Sequence, residues 1–324
     1  MAETGARRWL RQKWDGTRRE ARALLELLLL PAVAALLPWR LGFAWLRWCA
    51  RFERLYWREC EASLAVARHF VPIADEREWK RLHRLYRLVD HADYWLLLSG
   101  RGRGWLRRHV QVPPTWPPAR TPVVGVFFHW SAGLWPVFAL GDSGAASAVL
   151  AGRFTARTLG ARVAGLYGRI RLAMLARVSG RPLVYAPGTL KRALADLAAG
   201  HSIVGTPDVP PEQTRLCAPI TLFGRPALLP EGLAMIARGA GVPLVIFSCA
   251  IDPASGRRLL RASAPIDAGG EQLMQRIADA WQALMQEQSW AYGLWYALPA
   301  FFVPEQCGPA AVGGERIGTG PTAA

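Results

Sequence analysis

Short apolar runs alternate with helical stretches from residue 123 to residue 288, and this alternation most constrains the fold. The apolar runs have the length of buried strands and lie at residues 123–128, 148–151, 182–185, 202–204, 218–223 and 242–251. Helical patterns cover residues 169–179, 189–199, 230–240 and 271–288, with Thr189 as an N-cap and Gly200 and Gly241 as stops. Strands that alternate with helices predict an α/β fold, with a central mixed sheet flanked by helices.

Composition divides the chain into four segments. Residues 1–60 are basic and aromatic, and residues 61–118 are helical and end in a proline-rich linker, Pro113-Pro-Thr-Trp-Pro-Pro118. Residues 119–305 hold the α/β pattern and are long enough to bury a sizeable core. Residues 306–324 are rich in glycine, alanine and proline, which predicts a disordered tail.

The balance of charge predicts an anionic partner. Forty Lys and Arg residues face 24 Asp and Glu residues, which gives a formal net charge of +16. Nucleic acid, anionic lipid and phosphorylated small molecules all suit such a surface. No nucleic-acid-binding motif occurs, and many of the 15 tryptophans share the N-terminal region with arginines, so the sequence favours a membrane surface over nucleic acid.

The N-terminal segment has the pattern of a membrane-associating helix. Aromatic residues alternate with arginines from Trp39 to Trp57, as in a helix that lies in the membrane interface. The apolar run before it, residues 23–38, is shorter than the ~20 residues of a spanning helix and contains Glu26 and two prolines. No small-residue cleavage site follows, so a removable signal peptide is not expected. An amphipathic helix packed on the protein's own core and a tilted or bent anchor remain alternatives.

Several kinds of catalytic or metal site find no support. The five cysteines show no CxxC pairing and indicate reduced thiols in the cytoplasm, and no metal or cofactor is expected. There is no P-loop, no HExxH and no complete GxGxxG after a strand. Ser131 lacks the Gly-x-Ser-x-Gly elbow of a serine hydrolase. The other histidines lack metal-ligand spacing and are interpreted as structural; they are His69, His83, His91, His109 and His201.

His129 is the best candidate for a catalytic group. It directly follows the apolar run 123–128, and ligands of open α/β sheets bind at the C-terminal ends of strands. Imidazole is the usual general base near neutral pH. However, no carboxylate lies within the next twelve residues, the first acid being Asp142.

Two further features bear on the site. Residues 143–195 contain nine Lys or Arg and no acid, which suits a phosphorylated substrate or an acidic carrier protein, although arginines lying on a membrane would give the same pattern. Asp208 follows the predicted strand 202–204 and the turn Thr206-Pro207. A carboxylate there can bind a hydroxyl or orient a base, or it can simply cap a turn.

The order of these features resembles the bacterial lipid A late acyltransferases. That family belongs to a superfamily with the lysophospholipid and glycerol-phosphate acyltransferases. The resemblance spans about residues 25–300. Four blocks carry it: the basic-aromatic anchor, Val124-Gly-Val-Phe-Phe-His129, Gly205-Thr-Pro-Asp208, and Leu222-Phe-Gly-Arg-Pro-Ala227 with Glu231-Gly-Leu-Ala234 and Gly239-Ala-Gly-Val-Pro-Leu244.

The resemblance implies a fold of the glycerol-phosphate acyltransferase type on the cytoplasmic face of a bacterial inner membrane. His129 would deprotonate an acceptor hydroxyl, which attacks an acyl thioester carried on acyl carrier protein or coenzyme A. Backbone amides near Gly133 or an arginine such as Arg169 would stabilise the oxyanion. Arg153 and Asp208 would face the substrate. The motif after the strand at 218–223 would add three substrate-binding residues: Phe223, Gly224 and Gly232.

Two positions depart from the family pattern. The family has an aspartate or glutamate five residues after the histidine, where this chain has Leu134. It also tends to end in a Trp-x-His-Arg-Arg-like segment, where this chain has Gly293-Leu-Trp-Tyr-Ala-Leu298. The sequence leaves three alternatives: another acid such as Asp208 substitutes, the histidine acts unassisted, or the protein binds acyl carriers or lipids without turnover. An envelope lipid or a lipid-like metabolite is the expected acceptor.

Overall fold

The computed structural model describes residues 5–118, 121–152, 161–185, 189–214 and 216–303, with side chains from residue 14. The helices are α1 Gly5–Ala23, α2 Leu30–Leu36, α3 Trp39–Cys49, α4 Trp57–Ala67, α5 Glu76–Leu98, α6 Gly102–His109, α7 Leu134–Asp142, α8 Arg162–Ser179, α9 Thr189–Ala198, α10 Gly232–Ala240 and α11 Leu273–Glu287. A π-helical stretch, Leu24–Leu29, joins α1 to α2, and three 3₁₀ turns cover Pro211–Gln213, Ser289–Ala291 and Trp295–Phe301. The predicted disordered tail, residues 306–324, and Arg153 lie outside the described residues.

A mixed seven-stranded sheet forms the centre of the protein. Its strands are β1 Val110–Gln111, β2 Val124–Val126, β3 Ser147–Ala151, β4 Val184–Tyr185, β5 Ser202–Gly205, β8 Leu244–Ile251 and β9 Arg258–Ala262. The spatial order is β1-β9-β8-β2-β5-β3-β4, and every neighbouring pair is parallel except β8 and β9. Two further strands, β6 Cys217–Leu222 and β7 Arg225–Pro230, form a separate antiparallel hairpin. The α/β class with a mixed sheet and flanking helices is therefore confirmed.

The central strands are apolar because both of their faces are covered. All three residues of β2 and all four of β5 are buried, as expected for parallel strands between helical layers. Each of the six predicted strand runs overlaps an observed strand. Three strands were not predicted: β1, β7 and β9.

The prediction of a helix from residue 230 missed the hairpin before it. Phe223 and Gly224 both have positive φ, at 49° and 72°, which is the geometry of a two-residue turn that reverses the chain directly. Residues 225–230 therefore return as β7, and α10 begins only at Gly232.

The layer of α5 is tied to the sheet by a buried ion pair. Asp93 Oδ1 accepts from Arg258 Nη2 at 2.5 Å and Asp93 Oδ2 from Arg258 Nε at 3.1 Å. Trp135 Nε1 donates to the same carboxylate at 2.8 Å. This pair links α5 to β9 and α7, and the Arg258 guanidinium lies 4.9 Å from the Trp105 ring centroid.

The predicted proline-rich linker packs against the sheet. Trp116 lies 5.0 Å from Phe247 between ring centroids, and β1, just before the prolines, pairs with β9. The segment of residues 61–118 and the α/β region that follows it are therefore in contact with each other.

The aromatic segment near the C-terminus completes the core. Tyr292, Trp295 and Phe301 are fully buried, and Tyr292 and Phe301 contact the fully buried Trp281 of α11.

The N-terminal helices both pack on the protein and leave apolar side chains exposed. Phe43 and Tyr56, predicted for the membrane interface, are buried in the protein's own core, so the alternative of self-packing is correct for them. Trp48, Phe52 and Trp57 remain more than two-fifths exposed. None of the helices described combines the length and apolar character that crossing a membrane requires.

Candidate active site

The register of two neighbouring strands brings His129 and Asp208 together. In the parallel ladder Val126 pairs with Gly205, and the pairing continues one residue further because Phe127 N–H donates to the Gly205 carbonyl at 3.0 Å. His129 and Asp208 each lie three residues beyond the paired positions. Both residues thus follow the same edge of the sheet, at the C-terminal ends of β2 and β5, where α/β folds bind ligands.

Asp208 holds His129 through two hydrogen bonds. Its Oδ1 lies 2.9 Å from the His129 Nδ1, and its Oδ2 accepts from the His129 backbone N–H at 2.7 Å. The Asp208 side chain is fully buried, whereas 43% of the His129 side chain is exposed. A carboxylate only accepts hydrogen bonds, so Nδ1 carries the proton and the lone pair of the neutral ring lies on Nε2.

The charge of Asp208 also sets the basicity of the ring. Burial lowers the pKa of His129, but the charge and hydrogen bond of Asp208 outweigh it, so the pKa lies above its ordinary value. Arg171 lowers this pKa and Asp90 raises it, so both charges act on the imidazole.

The backbone around His129 is fixed by the aromatic segment near the C-terminus. The His129 carbonyl accepts from Gly293 N–H at 2.7 Å, and Ser131 N–H donates to the Ala291 carbonyl at 2.7 Å. Ser131 has a φ of 53°, a left-handed conformation that costs free energy in a non-glycine residue. Its side chain is buried, so the nearby hydroxyl is not an accessible nucleophile. The loop is therefore held in one geometry on both sides of the imidazole.

The two charges that act on the imidazole, Arg171 and Asp90, belong to a polar cluster formed by α5 and α8. Arg171 Nη1 lies 3.0 Å from Asp90 Oδ2, and Arg171 Nη2 donates to the Tyr94 hydroxyl at 3.2 Å. The Tyr167 hydroxyl is 2.8 Å from His91 Nδ1. Burial and the nearby arginines lower the pKa of His91 well below its ordinary value, so this ring is neutral at pH 7.

Position 134, where the resembled family has its acid, is not part of the His129–Asp208 pair, the dyad. Leu134 is buried at the start of α7 in an apolar cluster, and the carboxylate on His129 comes from another strand. Of the three alternatives left by the sequence, the geometry favours substitution of the acid by Asp208.

The predicted Arg169 and the nearby Arg171 lie in different surroundings. Arg169 is exposed on α8, whereas Arg171, two residues later, contacts Asp90 and Tyr94. Residues two apart on a helix do not share a face, which explains why the two side chains differ in their contacts.

The remaining predicted residues are spread over several elements. Gly133 N–H donates to the Ser131 carbonyl at 3.1 Å and is not free to bind an oxyanion here. Phe223 and Gly224 form the β6–β7 turn, and the Phe223 ring contacts Phe70 and Trp295. Within the described residues no hydrogen bond, ion pair or ring contact joins Phe223, Gly224 or Gly232 to the dyad.

Gly232 nevertheless lies at the correct edge of the sheet. It is the first residue of α10, and the next residue, Leu233, packs over Gly205 so closely that a Cβ there would lie 3.2 Å from its side chain. Gly205 ends β5, so the N-terminus of α10 lies at the same edge of the sheet as Asp208.

Sequence reasoning missed the contribution of α5. His83, Arg87, His91 and Tyr94 recur at helical spacing together with Asp90, and His83, Asp90, His91 and Tyr94 are buried. The signal available in the sequence was that polar residues occupy the face of α5 that its amphipathic pattern predicts to be buried.

Among the described residues, no group of three or more His, Cys, Asp or Glu side chains is placed to hold a metal ion. What the arrangement offers is a fixed, partly exposed imidazole with a buried carboxylate behind it.

The chain matches no protein-family model and no curated protein.

Proposed function

We propose that the protein is a membrane-associated O-acyltransferase, with His129 as general base and Asp208 as the group that orients it. It transfers an acyl chain from an acyl carrier protein or coenzyme A thioester to a hydroxyl of an envelope lipid or lipid-like metabolite. The observation that carries the proposal is the 2.9 Å contact of Nδ1 with a fully buried carboxylate, in a ring whose side chain is 43% exposed. With Nδ1 bound to Asp208, the basic nitrogen of the neutral ring is Nε2, on the side of the ring away from the carboxylate.

The transfer then follows from the proton positions. Nε2 takes the proton of the acceptor hydroxyl as the oxygen forms its bond to the thioester carbonyl carbon. Asp208 stabilises the imidazolium that results. When the tetrahedral intermediate collapses, the C–S bond breaks and the Nε2 proton passes to the leaving thiolate. The products are the ester and the free thiol, with no net change on the protein.

Arg171 is the cation we assign to the acyl transfer step in place of Arg169. Its charge acts on the His129 ring, and its guanidinium is held by Asp90 and Tyr94 with about a third of the side chain exposed. A fixed cation beside the base can stabilise the developing oxyanion or a substrate phosphate.

The acid-free stretch supports an acidic carrier as donor. Arg181 and Arg192 pair with Asp196, and Arg171 pairs with Asp90, so these three are used internally. Arg162, Arg169 and Lys191 remain exposed. Exposed cations steer and hold an acidic protein without needing a deep groove.

Association with the membrane is proposed from the exposed apolar side chains. Most of the large ones lie near the N-terminus: Trp14, Leu24, Leu25, Leu29, Val33, Leu36, Leu41, Trp48, Phe52 and Trp57. Contiguous exposed apolar surface marks membrane or protein contacts. Together with the N-terminal arginines it fits monotopic binding to an anionic inner-membrane surface.

The test is acyl transfer from labelled acyl carrier protein and acyl-coenzyme A to membrane lipid extracts. We expect transfer by the wild type and its loss in His129→Ala. His69→Ala is the matched control, because His69 is exposed and belongs to no site described above. Full activity of His129→Ala would reject the base.

The competing function is binding of acyl carriers or lipids without turnover. It predicts no transfer by the wild type from either donor, together with retained binding of the acyl carrier protein. The His129–Asp208 pair favours turnover, because a protein that only binds its ligand has no need of an oriented base.

A further inference from the structure

We propose that a pocket between α1 and α4 binds the phosphate of an anionic phospholipid headgroup and thereby orients the protein on the membrane. The inference rests on the membrane association proposed above and assigns it a defined site. The pocket is separate from the dyad, so its function can fail while acyl transfer survives.

The pocket is a cavity of about 420 Å³ that is lined by four arginines. Its lining residues are Asp15, Arg18, Arg19, Arg22, Trp57 and Arg58. Three arginines come from one face and flank of α1, and the fourth comes from the first turn of α4. Among the described lining residues the only carboxylate is Asp15, so this part of the wall carries a net charge of about +3 at neutral pH.

The helix that supplies three of these arginines is pinned in place. The Glu20 carboxylate accepts from the backbone N–H groups of Arg162 at 2.7 Å and Val163 at 2.9 Å. These are the first amides of α8, so Glu20 caps that helix from another element. The two backbone hydrogen bonds hold the pKa of Glu20 below its ordinary value, so the cap is ionised at neutral pH. A pinned α1 keeps its arginines in the pocket without a ligand.

Indole rings hold two of the guanidinium groups. Arg58 lies 5.5 Å from the Trp57 ring centroid, and Arg18 lies 5.3 Å from that of Trp14. Such contacts favour a cation but do not neutralise it. A cluster of like charges around one cavity is unfavourable unless an anion enters, and guanidinium groups bind phosphate oxygens in pairs.

The surroundings favour a lipid phosphate over a free one. Trp57 lines the cavity and Trp14 lies beside Arg18, and both indoles are more than two-fifths exposed. Leu24, Leu25 and Leu29 follow α1 directly and are also exposed. Apolar side chains next to an anion pocket suit a ligand whose phosphate is attached to acyl chains.

The experiment is flotation of the full-length protein with vesicles of phosphatidylcholine alone and with about one-third phosphatidylglycerol. The test variant is Arg18→Gln/Arg22→Gln/Arg58→Gln. The control removes the same charge at three exposed arginines elsewhere, as Arg68→Gln/Arg257→Gln/Arg276→Gln. Circular dichroism checks that both variants are folded. A third arm adds inorganic phosphate to the protein without vesicles and measures binding by calorimetry.

We expect the wild type to bind the anionic vesicles and the pocket variant to bind them about 100-fold more weakly, since each arginine near the surface contributes about tenfold or less. The control variant should lose less than about threefold. Acyl transfer in detergent micelles should be unchanged in the pocket variant, which separates this proposal from the proposed function.

Equal losses in the pocket and control variants would overturn the proposal, because they would show a diffuse attraction of the whole basic surface. Equal binding of neutral and anionic vesicles would overturn it as well. Tight binding of inorganic phosphate without preference for anionic vesicles would assign the pocket to a free phosphate ion and reject the lipid.

Discussion

Two acid–base pairs in this protein have similar chemistry and opposite surroundings. In the Asp93–Arg258 pair both side chains are at most 3% exposed, and Trp135 satisfies the carboxylate further. In the His129–Asp208 pair the carboxylate is equally buried but 43% of the histidine side chain is exposed. Both members of the first pair are buried, whereas in the second pair the structure shows no hydrogen bond from the described residues to the His129 Nε2.

If His129 is the base, as proposed, the difference separates a structural pair from a reactive one. A buried pair whose hydrogen bonds are all made within the protein fixes two elements relative to each other, here α5 and β9. A pair with one exposed nitrogen can exchange a proton with a ligand, and its buried member serves to orient the other. We therefore expect changes at the two pairs to affect different quantities: free energy of unfolding at the first, rate at the second.

The largest expected effect is on the rate in Asp208→Asn. An asparagine amide can donate to Nδ1, which moves the ring proton to Nε2 and removes the base. We expect kcat to fall by about three to four orders of magnitude, as for neutralisation of the acid in a catalytic triad. Acyl transfer under single-turnover conditions measures this.

Asp279→Asn is the matched control for that substitution. Asp279 is exposed and accepts a hydrogen bond from Gln275, four residues earlier. A rate for Asp208→Asn within threefold of this control would show that the second pair is also structural, and the comparison would fail.

The next effect is on stability in Asp93→Ala. This change leaves the Arg258 charge buried without its partner, which we expect to lower the free energy of unfolding by about 3–5 kcal/mol. Chemical denaturation measures the loss. The double variant Asp93→Leu/Arg258→Met removes both charges and should lose less than Asp93→Ala alone. A fully stable Asp93→Ala protein with reduced acyl transfer would reverse the assignment of the two pairs.

The pH dependence of the rate should distinguish the pairs further. The base must be neutral, and Asp208 raises the pKa of His129, so kcat/KM should fall with decreasing pH through a value above that of an ordinary histidine. In Asp208→Asn the fall of the residual kcat/KM should occur at lower pH, because the charge that raised the His129 pKa is gone. The same pKa shift stabilises the fold below the ordinary histidine pKa, and that stability is lost as pH rises through the raised value. If the fall in kcat/KM occurred at the same pH in Asp208→Asn as in the wild type, a group other than His129 would be responsible for it.

The smallest effect is expected in Trp135→Phe. The substitution removes only the indole donor to Asp93 and leaves the Arg258 pair intact. We expect a loss of about 1–2 kcal/mol in unfolding free energy and no change in kcat. A change in kcat without a change in stability would indicate that the Asp93–Arg258 pair affects catalysis at His129.

The sequence predicted the α/β class and the core strands well, because apolar runs of strand length report burial directly. It missed β9 and β7, since Arg258 reads as a surface residue and Arg225–Pro230 begins with residues that rarely continue a strand. Arg258 is fully buried, and the carboxylate that balances its charge belongs to Asp93, 165 residues away. The periodicity of apolar residues along the chain cannot predict a pairing between residues so far apart in the sequence.

The contacts of the candidate site were predicted only in part for the same reason. His129 was identified from its place after an apolar run, but its contact with Asp208 was left as one alternative, and Arg169 was chosen although Arg171 is the arginine that pairs with Asp90. His83 and His91 of α5 were interpreted as structural because they lack metal-ligand spacing, and a helical pattern does not show which polar residues are buried.

The sequence by itself determined that an imidazole and a carboxylate each follow a buried strand, because apolar runs and turns are local properties. It did not determine that β2 and β5 are neighbours, nor that Val126 pairs with Gly205. Only the tertiary structure decided this register, and with it the contact between His129 and Asp208. The physical reason is that hydrogen bonds between parallel strands join residues far apart in the chain, and their register depends on the packing of the whole sheet.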